Sequence, residues 1–244
     1  MTSALDNAIR NAVEDDLITA APSSLRLEGV TPARQARSQA TFRALIVAGR
    51  KALEQKNFDA VTIEEIAQAA GASVGAFYGR FANKEAFFAA IQEITVSDVE
   101  AQLRRLLADR KVGAAENAVF MRSITRFWVN IYRKNRGLYL AAFKHSSSLP
   151  GAWTPFKRLG WTCAGLVCAA LLPRLKADGR RISEKDVRAA FQFVNGLLVN
   201  AVVNDPGPIS LDDPEMEDMV ERFFCSFFGI EDAPPKTRRR KETR

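Results

Sequence analysis

The side chains able to do chemistry are few and unevenly placed. His145 is the only histidine in 244 residues, and Cys163, Cys168 and Cys225 have neither a CxxC spacing nor an even count. No GxSxG, HExxH or glycine-rich phosphate loop occurs, and no pair of carboxylates lies on an apolar face. Enzymatic chemistry is therefore not expected, nor is a metal or a cofactor. Cys163 and Cys168 lie five apart on an apolar stretch, a placement that suits buried packing better than redox sensing. Cations are what the chain has in excess, with a formal net charge of +7. Arg34, Arg37, Arg43, Arg50 and Lys51 precede the next acidic residue, Glu54, and Lys236, Arg238, Arg239, Arg240 and Lys241 form a second cluster near the end. A concentrated positive field raises the encounter rate with a polyanion, so the chemistry on offer is contact with phosphate.

Helices must carry these groups. Phe42, Leu45, Ile46, Gly49 and Leu53 recur at spacings of three and four, which places them on one helical face. Thr62, with Glu65 three positions later, forms a capping box that starts a second helix, with Ile63, Ile66, Ala67 and Ala70 turned inward. Gly71 stops that helix after barely two turns, and Ser73 caps a short third one with Val74, Phe77 and Phe81 as its apolar stripe. Asn83 caps a fourth, which carries Lys84, Phe87, Phe88 and Ile91 and runs on to Leu107 before the charged break Asp109, Arg110 and Lys111. Two short helices joined by a glycine-bearing turn are the parts of a helix-turn-helix.

The string from Thr62 to Phe87, TIEEIAQAAGASVGAFYGRFANKEAF, closely resembles the DNA-binding signature of the TetR family, and the resemblance extends over residues 37–94. It implies an all-α protein: an N-terminal three-helix helix-turn-helix module followed by a helical ligand-binding and dimerisation body. It further implies a homodimer joined through its last two helices, double-stranded DNA with an inverted-repeat operator as partner, and a small-molecule effector. Repression follows by default, because a dimer covering a promoter blocks polymerase. On this reading residues 1–33 are a flexible extension, 34–83 the DNA-binding domain, 84–230 the ligand-binding and dimerisation domain, and 231–244 a disordered basic tail that adds nonspecific attraction to DNA.

The residues of the signature make physical sense in these roles. The hydroxyls of Thr62 and Ser73 sit at helix N-termini, where capping and phosphate contact can coexist. Tyr78 can aim its hydroxyl at a phosphate while its ring covers the module's core, and Lys84 offers a cation. Val74, Gly75 and Ala76 cannot form bidentate hydrogen bonds to bases, so they imply close approach to the groove, contact with thymine methyls and reliance on DNA shape. Where family members commonly carry an aromatic or polar residue followed by histidine, this chain has Gly79 and Arg80, which shifts the grip on the backbone to Arg80. Arg34 and Arg37, ahead of the first helix, extend that grip towards neighbouring phosphates or the minor groove, and ordinary solvated charge explains them equally.

The remainder shows helical periodicity over 115–132, 138–145, 152–176, 184–204 and 214–228, with Pro173 expected to kink or shorten its helix to about Leu172. The stretch from Val187 to Val203 is apolar on two faces and must be covered on both, one by its own body and one by a twin subunit near Gly196. Met216, Met219, Val220, Phe223, Phe224 and Phe227 on the final helix would complete a two-fold bundle. The aromatic richness of the body suggests a largely apolar effector pocket, with Phe127, Trp128, Phe143, His145, Trp161 and Asn195 as its candidate lining, although rings at helical spacing equally fit plain core. Arg122 and Arg126 are further polar residues on an otherwise apolar helix. No apolar run is long enough to span a bilayer and no signal peptide is recognisable, so no membrane contact and a cytoplasmic location are expected. A sequence-indifferent nucleic-acid-binding helical protein without an effector remains the alternative reading.

Overall fold

The computed structural model describes residues 26–33, 35–147 and 151–231. Ten α-helices are present among them: α1 (Ala36–Gln55), α2 (Ile63–Ala69), α3 (Val74–Tyr78), α4 (Lys84–Ala108), α5 (Arg110–Gly113), α6 (Asn117–Lys134), α7 (Arg136–His145), α8 (Thr154–Ala177), α9 (Glu184–Val203) and α10 (Glu215–Phe228). A 3-10 turn, Phe58–Ala60, joins α1 to α2. No strand occurs among the described residues, only an isolated antiparallel bridge between Val30 and Phe81. Arg34, residues 1–25 and the basic tail lie outside the described residues, and so do the readings made of them.

The first three helices pack around interlocked phenylalanines. Phe81 meets Phe42 at 5.3 Å, Phe77 at 5.2 Å and Phe87 at 4.8 Å between ring centroids, mostly in the tilted or edge-on arrangements that the ring quadrupole favours. Phe87 belongs to α4, so the long fourth helix shares its first turns with the small module and its remainder with the body, where it packs chiefly on α8. The reading of residues 1–33 as a loose extension needs correction at its end. Gly29 O accepts from Ala82 N at 2.8 Å, Thr31 N donates to Arg80 O at 2.8 Å, and Val30 and Ala33 are buried. Backbone pairing with the α3–α4 turn pins this arm, a cause that side-chain periodicity does not register.

In the body α6 lies along α10, and α9 packs on α8, α7 and α6. The polar residues of α6 serve this docking. Arg122 grips the Glu221 carboxylate through Nε at 2.9 and 3.0 Å, Arg126 pairs with Glu217 at 3.6 Å, and Arg133 also reaches Glu217. The charged break after α4 is itself a helical turn, α5, because Asp109 caps it by accepting from Lys111 N and Val112 N. Pro173 neither ends α8 nor shortens it, since the helix continues to Ala177. Proline supplies no N–H for the carbonyl four residues back, on Ala169, and Ala169 is exposed, while Leu171 and Leu175 are buried. Arg174, one residue on, donates from Nε to Asn117 at 2.9 Å and from Nη1 to the Gly113 carbonyl at 2.7 Å, fastening this last turn to α5 and α6.

Module and body meet at a tight seam. A Cβ placed on Gly137, at the start of α7, would collide with the backbone of Leu53 and Glu54 at the end of α1, so only glycine lets the two chains touch this closely. Arg50 on α1 donates to Asn135 Oδ1 at 2.7 Å beside this contact. The buried guanidinium has its pKa lowered by desolvation, against which Asp98 and Glu54 act as counter-charges.

Candidate nucleic-acid interface

The geometry of α2 and α3 follows from their ends. Thr62 Oγ1 accepts from Glu65 N at 3.2 Å while Glu65 Oε2 accepts from Thr62 N at 3.1 Å, completing the capping box. The exposed Glu65 carboxylate also binds Lys56, and that hydrogen bond is the main reason its pKa falls below the ordinary value. At the other end Gly71 adopts φ +62°. Its N–H reaches Gln68 O at 3.1 Å and the next N–H, from Ala72, reaches back to Ala67 O at 2.9 Å, a Schellman closure that requires a left-handed residue there. Ser73 Oγ then accepts from Ala76 N at 3.0 Å and opens α3, only five residues long.

The side chains singled out from the sequence differ in exposure and in the partners they hold. Gly75 is exposed and nothing crowds a Cβ there beyond Ser73 Oγ at 3.8 Å; Val74 and Ala76 flank it half-buried. Tyr78 keeps 54% of its surface exposed, and its ring meets the buried Phe77 edge-on at 5.6 Å. The ring thus lies at the margin of the module's core, whose interior Phe77 and Phe81 fill. Arg80 binds the Ser38 hydroxyl, tying the end of α3 to the first turn of α1, where Arg37 stands exposed. Lys84 donates to the Asp59 carbonyl at 3.2 Å and lies 4.5 Å over the Phe58 ring, so it also fixes the turn that launches α2. Ser38 and Phe58 are partners that sequence reasoning missed. Neither left a signal in the spacing of its own segment.

A cavity of about 850 Å³ opens in the body between α6, α7, α8 and α9. Of the six candidate lining residues, Trp128, Trp161 and Asn195 border it. Phe127, Phe143 and His145 do not. Phe127 is fully buried in the core beside Trp128, and Phe143 lies outside, edge-on to Trp153 at 5.9 Å. His145 sits at the seam, 4.6 Å from Phe58 and 6.0 Å from Phe88. Their places are taken by Tyr132 and Tyr139, stacked at 4.5 Å, with Trp153 and Phe156 beside Tyr139. Asn195 Oδ1 accepts from Trp128 Nε1 at 2.7 Å and from the Tyr132 hydroxyl at 3.2 Å, so a polar residue on an apolar helix was the informative signal here. Burial raises the pKa values of both tyrosines, and all three cysteines are buried free thiols, with Cys163 also raised by burial. Among the described residues no His, Cys, Asp and Glu cluster suits a metal ion, and no helix is long and apolar enough to cross a membrane.

Known proteins match in the same places. Residues 45–91 fit the model for bacterial regulatory proteins of the tetR family. The HTH-type transcriptional regulator YwcC of Bacillus subtilis is 43% identical over 53 residues, which are 22% of this chain and 24% of that protein. The match thus spans about a quarter of that curated relative's length, and it falls short of describing the body. The fold as a whole is similar to a TetR-family regulator from Mesorhizobium loti, with a TM-score of 0.63, 20% identity, and coverage of 82% of this chain and 100% of the other. A transcriptional regulator from Cytophaga hutchinsonii gives a TM-score of 0.59 at 12% identity, covering 78% and 96% of the two chains. Residues 45–91 are thus similar in sequence to bacterial regulatory proteins of the tetR family, and the helical architecture as a whole is similar in fold to solved transcriptional regulators.

Proposed function

We propose that the protein acts as a homodimeric repressor that holds an inverted-repeat operator and leaves it when a small, largely apolar molecule enters the body. The observation that carries this reading is the composition of the outer face of α3. A helix built to enter a groove presents Val74, Gly75 and Ala76, with the Tyr78 hydroxyl and Arg37 exposed beside it to grip the backbone. Thr62 and Ser73 at the helix starts, Arg80 at the end of α3 and Lys84 at the start of α4 complete the contact set, the last two also holding the module in shape.

Two features support the dimer and the effector. On α9 and α10 Phe193 is 66% exposed, and Leu197 and Phe227 are 38% exposed, beside the half-buried Phe223. An apolar strip of this kind across the last two helices suits a second copy of the chain. Two recognition helices held about 34 Å apart then read half-sites one helical turn apart. The effector site is the cavity bordered by Trp128, Trp161 and Asn195, and its differential occupancy in the two states shifts the dimer away from the operator spacing.

Selection of bound duplexes from a random pool, with the full chain at physiological salt, tests the reading. Enrichment of an inverted repeat is the expected result. Equal recovery of all sequences with a steep salt dependence would replace it with a sequence-indifferent nucleic-acid binder.

A further inference from the structure

The walls and the rim of the body cavity differ in a way that specifies what fits it. The depth is aromatic: the Tyr132–Tyr139 stack, Trp128 and Phe156 present flat apolar faces. Two of the hydrogen-bond donors in the wall, Trp128 Nε1 and the Tyr132 hydroxyl, are already spent on Asn195 Oδ1. Burial has raised the pKa values of both tyrosines, as a low-dielectric surrounding does to any group that would become negative. A charged group at that depth would lose its hydration without compensation.

The rim carries the opposite character. Lys157, Lys185 and Arg188 stand there against the single carboxylate of Glu184. Arg188 is engaged, since its Nε donates to Glu184 at 2.7 Å, its Nη1 to the Trp161 carbonyl at 3.0 Å, and its guanidinium stacks 3.9 Å over the Trp161 ring. The Glu184 charge is thereby matched by Arg188. Lys185, exposed, has the Asp186 carboxylate as a neighbouring counter-charge, while Lys157, also exposed, forms no ion pair among the described residues and leaves the rim with a positive excess.

We infer that the effector is a flat, apolar organic monoanion, an aryl or arylalkyl carboxylate, which lies with its rings against the aromatic wall of the cavity and with its carboxylate at the Lys157 and Lys185 rim. The inference rests on the cavity being the effector site of the regulator proposed above. It adds orientation and charge to a site otherwise characterised only as apolar. Both lysines lie in solvent, so the selectivity they confer is modest and salt-dependent.

Three probes with one ring system separate charge from shape: 2-naphthoate, 2-naphthamide and 2-naphthylmethylammonium, each titrated calorimetrically into the full-length protein. The carboxylate is expected to bind about five- to tenfold more tightly than the amide, the ammonium most weakly, and the preference to collapse in the K157Q/K185Q double variant and in high salt. Equal or tighter binding of the amide or the ammonium would overturn the inference, and so would the absence of binding by all three. Neither result would touch the operator selection, which is read without any ligand. Conversely, a carboxylate preference in a protein that selects no operator would leave this site chemistry standing and remove the regulator.

Discussion

The DNA-binding module and the sensing body use the same kind of side chain to opposite ends. In the module Phe42, Phe77, Phe81 and Phe87 meet ring to ring and leave no room between them. In the body Tyr132, Tyr139, Trp153 and Phe156 meet in a chain of stacked and tilted contacts, and together with Trp128 they border an open cavity. Aromatic content thus says that a region folds, whereas the positions of the small and polar residues between the rings decide whether it folds solid or hollow. In the body Gly160 makes room for Asn195 in the cavity wall, with Asn195 Nδ2 only 3.2 Å from where a Cβ on Gly160 would lie.

The contrast can be broken by truncating one ring in each region. Phe77→Ala removes a fully buried side chain from a solid core, and a loss of about 3–5 kcal/mol is expected. Thermal unfolding followed by circular dichroism should show the module melting early and the body's transition retained, with operator binding lost. A single transition displaced as a whole would mean that α4 welds the two regions into one cooperative unit. Trp153→Ala takes away a half-buried ring with one face towards the cavity, where contact partners are already missing, and about half the cost of the first variant is expected. An equal cost in the same melting experiment would show that the cavity wall is as tightly supported as the solid core. The smallest effect belongs to Tyr78→Phe. The side chain is exposed and its hydroxyl has no hydrogen bond among the described residues, so stability should not move, while operator affinity in a filter or anisotropy titration should fall about three- to tenfold. Unchanged affinity would remove Tyr78 from the contact surface and leave Arg37 and the helix starts to hold the backbone.

The two regions also differed in how far the sequence revealed them. The module is built from local rules, and its capping box at Thr62, glycine stop at Gly71 and cap at Ser73 each act within four residues, so they were readable and the structure reproduces them. Helix positions in the body were readable for the same reason, with boundaries within two residues of those observed. The long-range partnerships were not. Nothing in the spacing of α6 shows that Arg122 and Arg126 answer Glu221 and Glu217, or that His145 belongs to the seam beside Phe58 and not to the cavity. Periodicity assigns a side chain to a face of its own helix, and the choice of neighbour across that face is made by tertiary packing. The docked arm at residues 29–33 escaped notice because main-chain hydrogen bonds, which any sequence can form, hold it.

The contact between Gly137 and the end of α1 has a practical consequence for anyone exchanging parts among such proteins. Since a single methyl group would force the two backbones apart, Leu53, Glu54 and Gly137 form a matched joint that cannot be inherited by halves. A chimera that takes its operator specificity from one chain and its sensing body from this one has to bring the glycine and its facing turn together, with Arg50 and Asn135 as the accompanying pair. A graft cut between residues 83 and 84, where α4 begins, would respect the secondary structure and still split this joint, because its two faces lie on opposite sides of the cut.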